Sequence, residues 1–153
     1  CTSGDINGDS NADIVWRKTS NGDLRYFRMN GATVTTNGLI QAGLSTAWTA
    51  MGGGDLDGDG VLDLAFRNST STGVLLAKLN SNFTVNSSAQ LTLAAGFTFV
   101  GFPDVNGDGK ADLVWRKTSN GILVRWKMNG LQVVNSATIG TGPTGTAKVY
   151  AEK

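Results

Sequence analysis

The sequence predicts an all-β fold built on a repeat of about 50 residues, and three observations carry that expectation. Acidic segments of one pattern begin at Asp5, Asp55 and Asp104, spaced by 50 and then 49 residues. The apolar residues between them fall in short β-branched and aromatic runs, too short to make helices. Gly is abundant at 21 and Pro scarce at 2, which suits short strands joined by tight turns. A chain of 153 residues is one domain by length, and 40% hydrophobic residues suffice for a core. No apolar run is long enough to cross a bilayer.

The acidic segments come first in the argument because they concentrate the charge. Ten of the twelve acidic residues lie in them; only Asp23 and Glu152 lie outside. The segments read Asp5-Ile6-Asn7-Gly8-Asp9-Ser10-Asn11-Ala12-Asp13, Asp55-Leu56-Asp57-Gly58-Asp59-Gly60-Val61-Leu62-Asp63 and Asp104-Val105-Asn106-Gly107-Asp108-Gly109-Lys110-Ala111-Asp112. Three or four carboxylates within nine residues repel one another unless a cation joins them, and Ca²⁺, which takes six to eight oxygen ligands, is the natural one. The pattern follows the start of an EF-hand: side-chain oxygens at positions 1, 3 and 5, a carbonyl at 7, and a turn at 6. An EF-hand closes with Glu at position 12. Here that position holds Trp16, Phe66 and Trp115, and Asp13, Asp63 and Asp112 at position 9 close the shell instead. Ser10 stands where Gly60 and Gly109 stand in the other loops, so loop one is expected to be strained and weaker.

Each loop is followed by a β-prone run: Ile14-Val15-Trp16-Arg17, Leu64-Ala65-Phe66-Arg67 and Leu113-Val114-Trp115-Arg116. In units one and three an Asn-Gly turn follows, at Asn21-Gly22 and Asn120-Gly121, a strong hairpin signal. The return strands Leu24-Arg25-Tyr26-Phe27-Arg28-Met29 and Leu123-Val124-Arg125-Trp126-Lys127-Met128 end at a second Asn-Gly, and a further segment starts near Thr33 and Gln132. Before the next loop lies another apolar strand, Ala47-Trp48-Thr49-Ala50-Met51 or Phe97-Thr98-Phe99-Val100. Four strands per unit, with an acidic loop between the first two, describe a β-propeller blade. The expected units are residues 1–46, 47–95 and 96–145, with a closing strand in 146–153.

The loop, the strand after it and the W-x-M-N-G hairpin together resemble FG-GAP/VCBS-type repeats, the integrin α-like propeller family that includes propeller lectins. The resemblance spans all three units. It implies up to three Ca²⁺ ions per chain, held by Asp5, Asn7, Asp9 and Asp13; by Asp55, Asp57, Asp59 and Asp63; and by Asp104, Asn106, Asp108 and Asp112. Backbone carbonyls of Asn11, Val61 and Lys110 would complete the shells. The second unit departs from the pattern, with Ser-Thr-Gly in its hairpin and Ala77 where Phe27 and Trp126 stand.

Cys1 aligns with Met51, so unit one is expected to lack its leading strand. Ala147-Lys148-Val149-Tyr150-Ala151 aligns with Ala47–Met51 and would supply it. Propellers have four to eight blades as a rule. Three blades therefore predict self-association of two chains into a six-bladed ring, with a fragment of a longer propeller as the rival reading.

Functional classes narrow by what is missing. There is no His, and the single Cys is terminal, so neither a disulfide framework nor the usual base and nucleophile is available. The loop carboxylates are committed to metal, and Asp23 and Glu152 stand alone, so no glycosidase pair forms. The expectation is a non-enzymatic module acting outside the cytoplasm, secreted or at a cell surface. Its first expected partner is a carbohydrate or cell-surface glycan; a protein-adhesion or structural module, or a targeting domain of a larger secreted enzyme, is the alternative. Trp16, Phe66 and Trp115 share one repeat position and either pack between blades or stack on sugars; Arg17, Arg67 and Arg116 follow them and could donate to a sugar. The formal charge is +1, and three Ca²⁺ would raise it by six. Basic residues such as Arg28, Lys78 and Lys127 lack acidic neighbours in sequence, so an anionic glycan is plausible. Extracellular-type loops argue against nucleic acid.

Overall fold

A computed structural model describes residues 2–142. Within them lie twelve strands and no helix: β1 Thr2–Gly4, β2 Asp13–Arg17, β3 Leu24–Asn30, β4 Thr33–Gln41, β5 Trp48–Gly54, β6 Asp63–Asn68, β7 Gly73–Leu79, β8 Val85–Thr92, β9 Phe97–Gly101, β10 Leu113–Lys117, β11 Ile122–Asn129 and β12 Gln132–Thr141. They form three antiparallel four-stranded meanders, β1-β2-β3-β4, β5-β6-β7-β8 and β9-β10-β11-β12, consistent with three blades. The all-β expectation stands, with three four-stranded sheets. The expected closing strand in 146–153, and Cys1, lie outside the described residues.

One expectation needs correction. Unit one does have a leading strand, although a short one. Thr2, Ser3 and Gly4 pair with Val15, Ile14 and Asp13. The matching strand in blade two is longer: it pairs Gly54 with Asp63 at one end and Trp48 with Asn68 at the other. The apolar pattern drew attention to Ala47–Met51, whereas β5 continues through Gly52-Gly53-Gly54 next to the loop, and β1 matches that end of it. Those glycines are needed for close packing. A Cβ on Gly53 would sit 2.3 Å from the Asp63 carbonyl oxygen, and one on Gly54 2.8 Å from the Ala111 Cβ.

Alternation along the strands gives each blade two apolar faces, and these stack blade on blade. Ile6, Val15 and Leu24 of blade one pack on Leu62, Leu64, Phe66 and Leu79 of blade two. The opposite face of blade two, with Leu56, Ala65, Val74 and Leu76, packs on Leu113, Trp115, Trp126 and Met128 of blade three. The same backbone hydrogen bond crosses both junctions: Leu62 N–H donates to the Asp5 carbonyl, and Ala111 N–H to the Asp55 carbonyl. Core packing thus holds each acidic loop against the next blade.

Candidate metal centres

Each loop wraps its backbone around the carboxylate at position 1. In loop two, Asp55 Oδ1 accepts from Gly58 N at 2.7 Å and Asp59 N at 3.2 Å, while Oδ2 accepts from Gly60 N at 2.8 Å. Asp5 and Asp104 repeat this set with Gly8, Asp9 and Ser10, and with Gly107, Asp108 and Gly109. The turn requires a left-handed residue at position 6. Gly60 and Gly109 have φ near 80°, and Ser10 takes φ 67°, the strain expected for a side chain there.

The aspartate at position 9 does more than close a shell. Asp13, Asp63 and Asp112 are buried, at 0%, 1% and 0% exposure. Asp63 Oδ2 accepts from Leu56 N at 3.1 Å, and its Oδ1 accepts from Leu79 N at 3.0 Å, sixteen residues on. Asp13 does the same with Ile6 N and Met29 N. This carboxylate therefore buckles the loop to the end of the third strand of its own blade. Asp112 keeps the bond from Met128 N, but its Oδ2 is buried without a hydrogen-bond partner among the described residues. Burial pushes the Asp63 carboxyl up to about 7, against the pull of its two backbone donors.

Carboxylate oxygens of Asp55, Asp57 and Asp63 lie within 4.8 Å of one another, close enough for one ion. The donor set is all oxygen, as Ca²⁺ prefers, and the bare Asp112 Oδ2 is a further acceptor awaiting a partner. The residues present therefore fit a hard divalent cation. Basic side chains sit at the rim. Arg28 donates to Asp9 at 3.2 Å, Lys127 pairs with Asp108 at 3.0 Å, and Lys78 pairs with both Asp57 and Asp59. These cations lack acidic neighbours in sequence, yet the hairpin brings one repeat position over each loop. Backbone donation from Asn11 and then the Arg28 contact hold Asp9 below the usual carboxylate range, and Lys127 does the same for Asp108.

Residues 5–66 match the family model of the FG-GAP-like repeat. That stretch is similar to an FG-GAP-type repeat. No curated protein matches the sequence. The matched span runs from loop one to β6, so it takes in the first two acidic loops and the strands that present them.

The sugar-stacking position expected from the sequence fares differently. Phe66 and Trp115 are 2% and 0% exposed, inside the two inter-blade cores, and cannot meet a ligand from solution. Trp16 alone of the three is half-buried; Phe27 tilts against it at 5.6 Å and the Arg25 guanidinium lies 6.0 Å from its ring. The arginines that follow are also committed. Arg17 donates to the carbonyls of Trp48, Leu44 and Ser45, clamping the connection between blades one and two. Arg67 donates to Thr72 and Gly73 in its own hairpin, and Arg116 is buried. Asp23 is tied into its turn by Gly43 N–H and by Asn21. The sequence reading missed a cleft of about 370 Å³ beside loop one, lined by Asp9, Asn11, Arg28, Met29, Asn30, Thr35 and Thr36. Its only sequence signal is polar side chains on β4 next to the loop.

Proposed function

We propose that the chain is a calcium-stabilised, extracellular module that binds carbohydrate and does no chemistry of its own, its blades forming part of a closed propeller. The observation that carries the calcium half is the convergence of Asp55, Asp57 and Asp63 on one point in a loop wrapped around Asp55. When bound, the ion supplies charge neutralisation that the loop cannot supply for itself. Extracellular sites bind Ca²⁺ with Kd of about 10⁻⁴–10⁻³ M. At tenfold excess over Kd each site contributes about 1.4 kcal/mol. EDTA should therefore lower the thermal midpoint by several degrees, and excess Ca²⁺ should restore it. An unchanged midpoint by differential scanning calorimetry would sink the calcium reading.

The carbohydrate half rests on the cleft beside loop one. Asn11, Arg28, Asn30, Thr35 and Thr36 offer side-chain donors and acceptors in one opening, which suits a hydroxyl-rich ligand or an acidic sugar. A glycan array in calcium, followed by calorimetry with an Asn30→Ala variant, tests it; absence of any selective, competable sugar decides against it. Protein adhesion is the second reading. Val34, Leu39, Val134 and Ile139 are exposed on the outer strands β4 and β12, apolar groups that a protein partner would cover.

A further inference from the structure

We infer that Lys78 is a resident counter-cation of loop two: it takes two of the carboxylates an ion would share, holds the loop together without metal, and sets how tightly the loop binds Ca²⁺. The inference rests on the calcium reading above and extends it to a residue outside the loop.

Loop two carries one more carboxylate than its neighbours. Asp57 stands at position 3, where loops one and three have Asn7 and Asn106. A carboxylate oxygen of Asp57 lies within 4.8 Å of oxygens from Asp55 and Asp63, so like charges crowd one point. More ligand charge alone should mean tighter binding. The balancing charge sits on β7. Lys78 Nζ donates to Asp57 Oδ2 and lies 3.1 Å from Asp59 Oδ2, so one ammonium spans positions 3 and 5. Three donors on a compact charge suit it to two carboxylates at once.

The equivalent cations do less. Among the described residues, Arg28 and Lys127 each pair with the position-5 carboxylate, Asp9 at 3.2 Å and Asp108 at 3.0 Å. Their side chains are 47% and 35% exposed, against 23% for Lys78. Lys78 is also held by the loop it serves. It lies between the buried residues Ala77 and Leu79, and Asp63 Oδ1 accepts from the Leu79 N–H at 3.0 Å. The position-9 carboxylate thus fixes the backbone beside Lys78, and Lys78 gathers the carboxylates at positions 3 and 5.

Two effects of opposite sign follow. With no ion, Lys78 relieves the repulsion between Asp57 and Asp59 and stabilises the loop. Toward an ion, a positive charge already on the same oxygens repels and competes, which offsets the advantage of the fourth carboxylate. A side chain that merely packs would not separate these signs: its loss would lower stability and leave affinity unchanged or weaker.

The test is a Ca²⁺ titration of the wild type, Lys78→Met, Lys78→Gln and Lys78→Arg. Nuclear magnetic resonance follows the backbone amides of Gly8, Gly58 and Gly107, the position-4 residue of each loop. The Ca²⁺ concentration for half-saturation at Gly58 should fall by about fivefold or more in the Met and Gln variants. Gly8 and Gly107 should keep their wild-type values, and Lys78→Arg should stay near wild type at all three. In EDTA the thermal midpoint of the Met and Gln variants should fall by a few degrees. In the wild type, the Lys78 side-chain signals should move with the same half-saturation as Gly58, a readout that needs no variant. No response to Ca²⁺ at any of the three glycines overturns the calcium reading and this inference together. A response at Gly58 whose half-saturation the neutral variants leave unchanged or raise, a metal-free midpoint that they do not lower, or wild-type Lys78 signals indifferent to the ion overturns the role of Lys78 and leaves the calcium sites in place.

Discussion

Blade two has a neighbouring blade on each face, whereas blades one and three have one apiece. Phe66 and Trp16 occupy the same place in their strands, yet Phe66 is 2% exposed and Trp16 is half-buried. Leu56 and Val105 occupy the same place in their loops, and only Val105 reaches solvent. The repeat pattern sets which way a side chain points; position in the array sets whether anything is there to meet it. Truncating the aromatic should expose this difference. Phe66→Ala leaves a cavity in a closed core and should cost about 3–5 kcal/mol in urea denaturation. Trp16→Ala on dilute protein should cost less than that, because part of its ring surface stays in water. Equal losses would mean that blade one's outer face is already covered in the dilute chain.

The loops can be compared in the same way. Asp63 accepts two buried backbone N–H groups, while Asp112 accepts one and holds its second oxygen bare. The missing donor belongs to Val105, the residue whose side chain has no blade to pack on. In EDTA, Asp63→Ala strands two donors and should cost about 2–4 kcal/mol. Asp112→Ala strands one and removes an unpaired oxygen, so about 1 kcal/mol is expected. Running both variants in calcium separates the buckle from the ion: the cost of each should rise by the ion binding that its carboxylate supports. Costs that are the same with and without calcium would show that the position-9 carboxylate serves the backbone only.

Much of this arrangement was legible in the residues. Loop spacing gave the number of blades, Asn21-Gly22 and Asn120-Gly121 gave hairpin turns, and the exclusion of an EF-hand followed from Trp16, Phe66 and Trp115 at position 12. What stayed hidden depends on contacts between units. Nothing in Phe66 or Trp115 alone says that a neighbouring blade covers it, so packing between blades and stacking on sugars both stayed open, and the structure decides for packing at these two. The pairing of Arg28, Lys78 and Lys127 with the loops was hidden because the partners lie nineteen to twenty-one residues apart along the chain. Aligning the three units would have placed all three cations at one repeat position, which is the available signal. The short strand Thr2–Gly4 was missed because glycine and small polar residues carry no β pattern; it forms because β2 offers an edge and the glycine permits close approach to Leu62.

The smallest expected effect concerns loop one against the other two. Ser10 N donates to Asp5 Oδ2 at 2.8 Å, the same distance as Gly60 N to Asp55 and Gly109 N to Asp104. The hydrogen bond is therefore not what differs. A Cβ at Gly60 or Gly109 would touch nothing within 4 Å, so crowding is not the cost either. What remains is the backbone itself, since φ 67° at Ser10 places an L-residue in the left-handed region. Ser10→Gly relieves that strain and gives back part of it as freedom in the unfolded chain, for a net gain of about 0.5–1 kcal/mol. The thermal midpoint should rise by a few degrees, and calcium should bind loop one more tightly because the turn no longer resists closing. The reverse change, Gly60→Ser, should lose a similar amount. If Ser10→Gly lowers the midpoint, the serine hydroxyl stabilises the loop by more than its backbone strain costs, and loop one is not the weakest of the three.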